Sequence, residues 1–249
     1  LKICFANAKR TYITPKLSDI IIRGAEQIHL FDTPLLVCRN SGLSAESLII
    51  KRAFDIMLSA LGCIVTSPIM LITALCIKLY DGGPVFYTQD RLTRDGKVFK
   101  VYKFRSMKTD AEKDGVARLA GEHDDRITPV GRVIRKVRID ELPQLLNILK
   151  GDMSIVGPRP ERPELAAENE KIMPEFRYRL KVKAGLTGYA QVLGKYNTTP
   201  YDKLRLDLMY IEQYSLLLDI KLILMTIKIL FIPESTEGVK DDNSSGTAL

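Results

Sequence analysis

Residues 56–77 read IMLSALGCIVTSPIMLITALCI, a run with no charged residue. At about 22 residues it is as long as a helix that crosses the hydrocarbon core of a bilayer. Two features argue against a simple span. Ser67-Pro68 interrupts the run at its centre, where proline withdraws a backbone donor and bends a helix, and where the Ser67 hydroxyl can serve the carbonyl so released. Basic residues flank both ends: Lys51 and Arg52 before it, then Lys78, Arg91, Arg94, Lys97, Lys100, Lys103 and Arg105 after it. Positive flanks mark the cytoplasmic side of a membrane, so both ends are placed there. The expected element is a re-entrant helical hairpin over 52–80 that enters one leaflet and returns. A kinked core helix of a soluble protein is the alternative.

Outward from this run, the composition narrows the function classes. The chain has 249 residues, 46% of them hydrophobic, so it can bury a sizeable core. A net charge of +7 favours anionic partners: nucleic acid, phosphorylated metabolites or an anionic membrane. No DNA- or RNA-binding module is recognisable, so nucleic acid is not an expected partner. Four cysteines stand far apart without a C-x-x-C pair, which reads as a reduced protein without a zinc site. With only two histidines, His29 and His123, neither a Ser-His-Asp triad nor a histidine-rich metal centre has enough material. The chain opens at Leu1 in mid-pattern and is expected to be part of something longer.

After the run, Val85–Tyr87 and Val98–Phe104 are two strand-like segments with a turn signal at Asp95-Gly96 between them, which predicts a short β-hairpin. Leu142, Leu145, Leu146 and Leu149 recur at helical spacing and stop at Gly151. Residues 216–232 are apolar but carry Lys221 and Lys228 seven apart, which suits an amphipathic helix in the headgroup region. A buried core helix is the alternative there. The polar residues 234–249 read as a disordered tail.

Candidate chemistry centres on Asp140-Glu141-Leu142-Pro143. Structurally it reads as a helix start, with Asp140 as the N-cap. A helix start also presents free N–H groups to anions. Two adjacent carboxylates point about 100° apart on a helix, so one can attack phosphorus while the other holds a divalent cation or manages a proton. Mg²⁺ suits such a site, because it binds through one or two carboxylates plus substrate phosphates. Arg132, Arg135, Lys136 and Arg138 lie just upstream and can neutralise a diphosphate, or can equally be surface charges. Gly157-Pro158-Arg159-Pro160 holds Arg159 between two prolines, a pre-organised cation for phosphate. Strand alternation sends Lys103 and Arg105 to one face. Gly185, Thr187 and Gly188 form a flexible turn.

Taken in order, Lys51-Arg52 with Asp55, the Ser67-Pro68 break, Gly83-Pro84-Val85-Phe86, Lys103-Phe104-Arg105-Ser106-Met107, Asp140-Glu141-Leu142-Pro143-Gln144, Gly151-Asp152-Met153-Ser154 and Gly157-Pro158-Arg159-Pro160 form a distinctive series. It strongly resembles the bacterial sugar transferase family, the monotopic polyprenyl-phosphate phosphoglycosyl transferases of capsule, O-antigen and exopolysaccharide assembly. The resemblance covers about Lys51 to Phe231. It implies transfer of a sugar 1-phosphate from a UDP-sugar to undecaprenyl phosphate with release of UMP. Asp140 would be the nucleophile and Glu141 its partner, both contributing to Mg²⁺. Lys103, Arg105, Arg138 and Arg159 would bind the anionic substrates.

The implied setting is the cytoplasmic face of the bacterial inner membrane, in contact with its lipid, with a homo-oligomer allowed. The implied architecture is α+β: a mostly helical monotopic membrane protein with a re-entrant hairpin, a short β-hairpin and amphipathic interfacial helices. Residues 1–47 would be the end of a Rossmann-like domain and 48–233 the catalytic domain. The larger architecture leans towards glucose or galactose over an N-acetylated sugar. Tyr189 stands where the family commonly has tryptophan, and the chain has no Trp at all. A catalytically inert membrane scaffold for polysaccharide assembly is the competing reading.

Overall fold

The computed structural model describes residues 2–7, 10–31, 33–38, 43–109, 124–194 and 198–230. The expected tail over 234–249 lies outside the described residues. In chain order the elements are α1 (Lys2–Ala6), α2 (Leu17–Arg23), β1 (Glu26–Leu30), β2 (Thr33–Val37), α3 (Ala45–Asp81), β3 (Phe86–Leu92), β4 (Val98–Phe104), α4 (Pro129–Lys136), α5 (Gln144–Lys150), β5 (Ser154–Val156), α6 (Pro163–Ile172), β6 (Gly185–Thr187), α7 (Tyr189–Leu193), α8 (Pro200–Glu212) and α9 (Leu216–Leu230). Helix and strand are mixed, and among the described residues the strands form three two-stranded pieces: antiparallel β1-β2, antiparallel β3-β4 and parallel β5-β6.

The apolar run lies within α3, a helix of 37 residues. Ser44 caps its start by accepting from Ser47 N, and Gly82, in the left-handed region at φ 69°, ends it. The helix carries Pro68 within it and is not interrupted there by a loop. The physical reason is at the break itself. Pro68 has no N–H for the carbonyl four residues back, and the Ser67 hydroxyl donates to that carbonyl, Ile64 O, at 2.8 Å.

Lys51, Asp55, Ser59, Thr73 and Ile77 make one buried stripe at helical spacing. The remaining faces are bare: Leu61, Ile64, Val65, Leu71, Ile72 and Leu75 are all more than half exposed. A core helix would bury these side chains, and only 11% of its most apolar window is buried, so α3 is a membrane-associating helix rather than a core one.

Both ends of α3 are fastened to the same body. Near its start, Arg52 donates to the Ile148 and Leu149 carbonyls at the end of α5 at 2.6 and 2.7 Å. Asp55 accepts from Ser154 Oγ at 3.1 Å and from Ile155 N at 3.0 Å on β5. Near its end, Ile77 packs with Phe104 and Ile134, and Asp81 pairs with Arg105.

The hairpin forms with Asp95 and Gly96 both at positive φ (60° and 72°) in its turn. β3 is longer than the apolar segment Val85–Tyr87 suggested, because the register from Phe86↔Phe104 to Leu92↔Val98 needs a partner for every residue of β4. One face of β4 carries Phe99 and Val101 against Leu145 and Ile148 of α5. Asn147 of α5, fully buried, locks the two together by accepting from Tyr102 N and donating to Lys100 O. The main core gathers Val156, Phe176, Val182, Leu204, Leu208, Tyr210, Ile211 and Leu222. Ile20 of α2 and Leu43 belong to this same core, so the first 47 residues contribute to it directly. In α9, Lys221 and Lys228 are both exposed, beside the exposed Leu217 and Leu224, while Asp219 on the opposite side is buried.

Candidate active site

The two carboxylates sit in a turn, not at a helix cap. Thr128, whose hydroxyl accepts from Gly131 N, caps the start of α4, and Val137 caps its end. Arg138 then adopts a left-handed conformation, φ 58°, uncommon for a residue with a Cβ. That reversal feeds a single 3₁₀ turn over Ile139–Glu141, closed by Glu141 N to Arg138 O and Leu142 N to Ile139 O. α5 begins only at Gln144, with Pro143 before it. The expectation of Asp140 as the N-cap of this helix is therefore corrected: Glu141, Leu142 and Pro143 lie between Asp140 and α5, whose N-cap is Pro143. Ile139 packs against the Ile77–Phe104–Ile134 cluster and ties the turn to the base of α3.

The surroundings of the two carboxylates differ sharply. Glu141 Oε1 accepts from Lys103 Nζ of β4 and from Arg159 Nη2, each at 3.0 Å. Arg138 Nη1 lies 3.9 Å from the other oxygen. Burial opposes the charge on Glu141, yet Arg159, Lys103 and Arg138 outweigh it and hold this carboxyl well below the usual carboxylate range. Asp140 goes the other way. Burial and then the neighbouring Glu141 push its pKa up, against the pull of Lys103, Arg135 and Arg138. Its Oδ1 is buried without a hydrogen-bond partner among the described residues. One acid is thus a counter-ion held by three cations, and the other keeps an unengaged oxygen.

Of the cations proposed from sequence, Lys103, Arg138 and Arg159 meet at Glu141. Arg105 does not join them. It is buried against Asp81 at the end of α3, and its Nε and Nη1 have no hydrogen-bond partner among the described residues. β4 ends at Phe104, so the alternation that would have aimed Arg105 beside Lys103 stops one residue short.

The Arg159 loop follows β5. Gly157 and Gly185 approach so closely that a Cβ on Gly185 would stand 2.1 Å from Gly157 N, which makes these glycines contact points and not the flexible turn expected at Gly185. Three residues contribute at this loop without having been read as site residues: Arg91, taken from sequence only as one of the basic residues flanking the apolar run, and Arg179 and Asp207; only long-range contacts reveal what they do.

Asp140 and its neighbour Glu141 offer carboxylate oxygens, the donor type a hard divalent cation takes, and the unengaged Asp140 Oδ1 supplies a ligand position. Among the described residues no three His, Cys, Asp or Glu side chains converge, so such a cation would need substrate phosphates to complete its shell.

The profile of the bacterial sugar transferase family matches residues 46–233. The chain belongs to that family. It is 43% identical over 182 residues to the UDP-N-acetylgalactosamine-undecaprenyl-phosphate N-acetylgalactosaminephosphotransferase of Aeromonas hydrophila, covering 72% of this chain and 43% of that one. It is 40% identical over 225 residues to the undecaprenyl-phosphate glucose phosphotransferase of Komagataeibacter xylinus, covering 87% of this chain and 42% of that one. The chain thus spans less than half the length of these two sugar transferases. By contrast, a 40% identical match to the exopolysaccharide production protein PSS of Rhizobium leguminosarum bv. phaseoli takes in 77% of this chain and 98% of that one.

Proposed function

We propose that this sugar transferase moves a sugar 1-phosphate from a UDP-sugar to undecaprenyl phosphate, forming undecaprenyl-diphosphate-sugar and UMP, the first step of a capsule, O-antigen or exopolysaccharide. The observation that carries the reading is the division between the two acids: Asp140 keeps a buried, unengaged oxygen while Glu141 Oε1 accepts from both Lys103 and Arg159.

In the first displacement an Asp140 carboxylate oxygen attacks the phosphorus attached to the sugar. The bond from that phosphorus to the bridging oxygen breaks, and UMP leaves with the electron pair. In the second, a phosphate oxygen of undecaprenyl phosphate attacks the same phosphorus. The acyl-phosphate bond breaks and returns the Asp140 carboxylate. A covalent aspartyl phosphosugar divides one difficult displacement into two easier ones. Arg159 and Lys103 carry the positive charge that the phosphoryl oxygens meet, and Glu141 holds both in place from behind. Mg²⁺, held by Asp140 and Glu141 together with the donor phosphates, would supply further neutralisation of the diphosphate.

The membrane arrangement follows from α3. Asp55 and Asp81, at either end of the apolar run, are both tied to the catalytic body, which supports a re-entrant path that leaves both ends on the cytoplasmic face. The exposed Lys221 and Lys228 of α9 would face anionic headgroups. Such a site receives a soluble donor from one side and a lipid acceptor from the other.

The test is UMP release by detergent-solubilised protein supplied with Mg²⁺, undecaprenyl phosphate and a panel of UDP-glucose, UDP-galactose and UDP-N-acetylgalactosamine. Wild type is expected to release UMP with one preferred donor and to carry a phosphosugar adduct on Asp140 by mass spectrometry when the lipid is withheld. Asp140→Asn is expected to lose both. Folded wild type that is inert with every donor would sink the reading and leave a scaffold.

A further inference from the structure

The loop carrying Arg159 cannot hold its own shape. Pro158 and Pro160 have no N–H, so the segment has few donors with which to close a turn. Its carbonyls are satisfied from elsewhere, one by one. Pro158 O accepts from Gly185 N at 2.8 Å, and Glu161 O from Leu92 N at 2.9 Å. The two carbonyls between them take side-chain donors: Arg159 O accepts from Arg179 Nη2 at 2.9 Å, and Pro160 O from Arg91 Nη1 at 3.1 Å.

The first two donors are main-chain amides that almost any residue supplies. The other two are guanidinium groups, and they act on the carbonyls of Arg159 and its neighbour. Arg179 is 3% exposed and has a setting built around it. The same Nη2 lies 2.8 Å from Oδ2 of Asp207, itself 1% exposed. Nη1 reaches Glu161 Oε1 at 3.3 Å, and the guanidinium lies 4.8 Å from the centre of the Phe176 ring. Arg91 is held in turn by Gln89 Oε1 at 2.6 Å.

A buried ion pair is a poor way to add stability, since apolar residues of similar volume serve as well or better. A hydrocarbon pair could not donate to the Arg159 carbonyl. We propose that Arg179, braced by Asp207, and Arg91 are positioning residues of the transfer reaction: they fix the two carbonyls at Arg159 and Pro160 and so aim the Arg159 guanidinium at Glu141 and the donor phosphates. The inference rests on the transfer reading above.

The experiment measures kcat and KM for the UDP-sugar in Asp207→Asn and Arg91→Met, each alone and each combined with Arg159→Ala. A misplacement of about 1 Å in a substrate-positioning group costs on the order of 100-fold, so each single variant is expected to lower kcat/KM by roughly 10- to 100-fold. In the Arg159→Ala background each is expected to add less than about 2-fold, because the group they aim is already gone. A merely structural role would produce the same loss in both backgrounds, and that result overturns the proposal. So does a single variant as active as wild type. Arg91 is only half-buried, so Arg91→Met carries the test if Asp207→Asn fails to fold. Unchanged variants of an active wild type reject the positioning role and leave the transfer reading standing; an inactive wild type rejects both.

Discussion

The Ser67 hydroxyl gives the sharpest way to probe α3. At 2.8 Å it donates to Ile64 O, the carbonyl that an N–H at position 68 would serve were that residue not proline. Replacing Ser67 by Ala removes one net hydrogen bond and strands a carbonyl in an apolar setting. Ile64 is exposed on the protein, so in lipid or detergent its carbonyl meets hydrocarbon that offers no donor; a polar group left unsatisfied there costs about 1–3 kcal/mol, and Ser67→Ala is expected to destabilise the helix by that amount. In a Pro68→Ala background the new N–H at position 68 serves Ile64 O, and the serine becomes dispensable. The coupling between the two sites is therefore expected to be about 1–3 kcal/mol, nearly the whole cost of the single change. The assay is unfolding in mixed micelles with rising sodium dodecyl sulfate, followed by helicity, for wild type, both single variants and the double variant. Equal destabilisation by Ser67→Ala in both backgrounds would refute the reasoning, since the hydroxyl would then be serving something other than the carbonyl freed by proline.

Lys51 of α3 and Asp219 of α9 form a buried pair at 2.6 Å, so Lys51→Met, which strands Asp219, is expected to cost about 3–5 kcal/mol, while Lys51→Met with Asp219→Leu recovers most of it; a double variant as unstable as the single would contradict this, measured by the same unfolding assay. Glu141 has its folded pKa depressed by its cations, so its contribution to stability is complete above the unfolded carboxylate value and is lost as pH falls through the folded one. The stability gap between wild type and Glu141→Gln should accordingly stay constant from pH 8 to about pH 5 and narrow only below about 4.5. A gap that already closes between pH 7 and 5 would show that the carboxylate is not held by Lys103, Arg159 and Arg138.

Much of the architecture could be read from local pattern. The uncharged run over 56–77 marked the membrane-associating helix, Asp95-Gly96 marked the hairpin turn, and Gly151, in the left-handed region at φ 99°, ends α5 where the leucine spacing stops. These features depend on neighbours in the chain: hydropathy over one helix, positive φ in one turn, a donor withdrawn by one proline. The motifs likewise pointed to Asp140, Glu141, Lys103 and Arg159, because those residue types in that order are distinctive. The details of helix boundaries were less legible, since the turn before α5 depends on Arg138 reversing the chain and on Ile139 reaching the base of α3.

What distinguishes the two adjacent acids was not in their own segment. Lys103 comes from 38 residues before Glu141 and Arg159 from 18 residues after it, and both settle on Glu141 rather than Asp140. Arg105, two residues from Lys103, is turned to Asp81 because the strand ends between them. Arg91 and Arg179 approach the Arg159 loop from β3 and from the segment before β6, and Asp207 from α8. Local chemistry therefore marked which residue types suit phosphoryl chemistry, while tertiary structure decided which of the two carboxylates is ion-paired and which keeps an unengaged oxygen. The reason is that burial and through-space charge set the state of a carboxyl group, and both are supplied by segments remote in the chain.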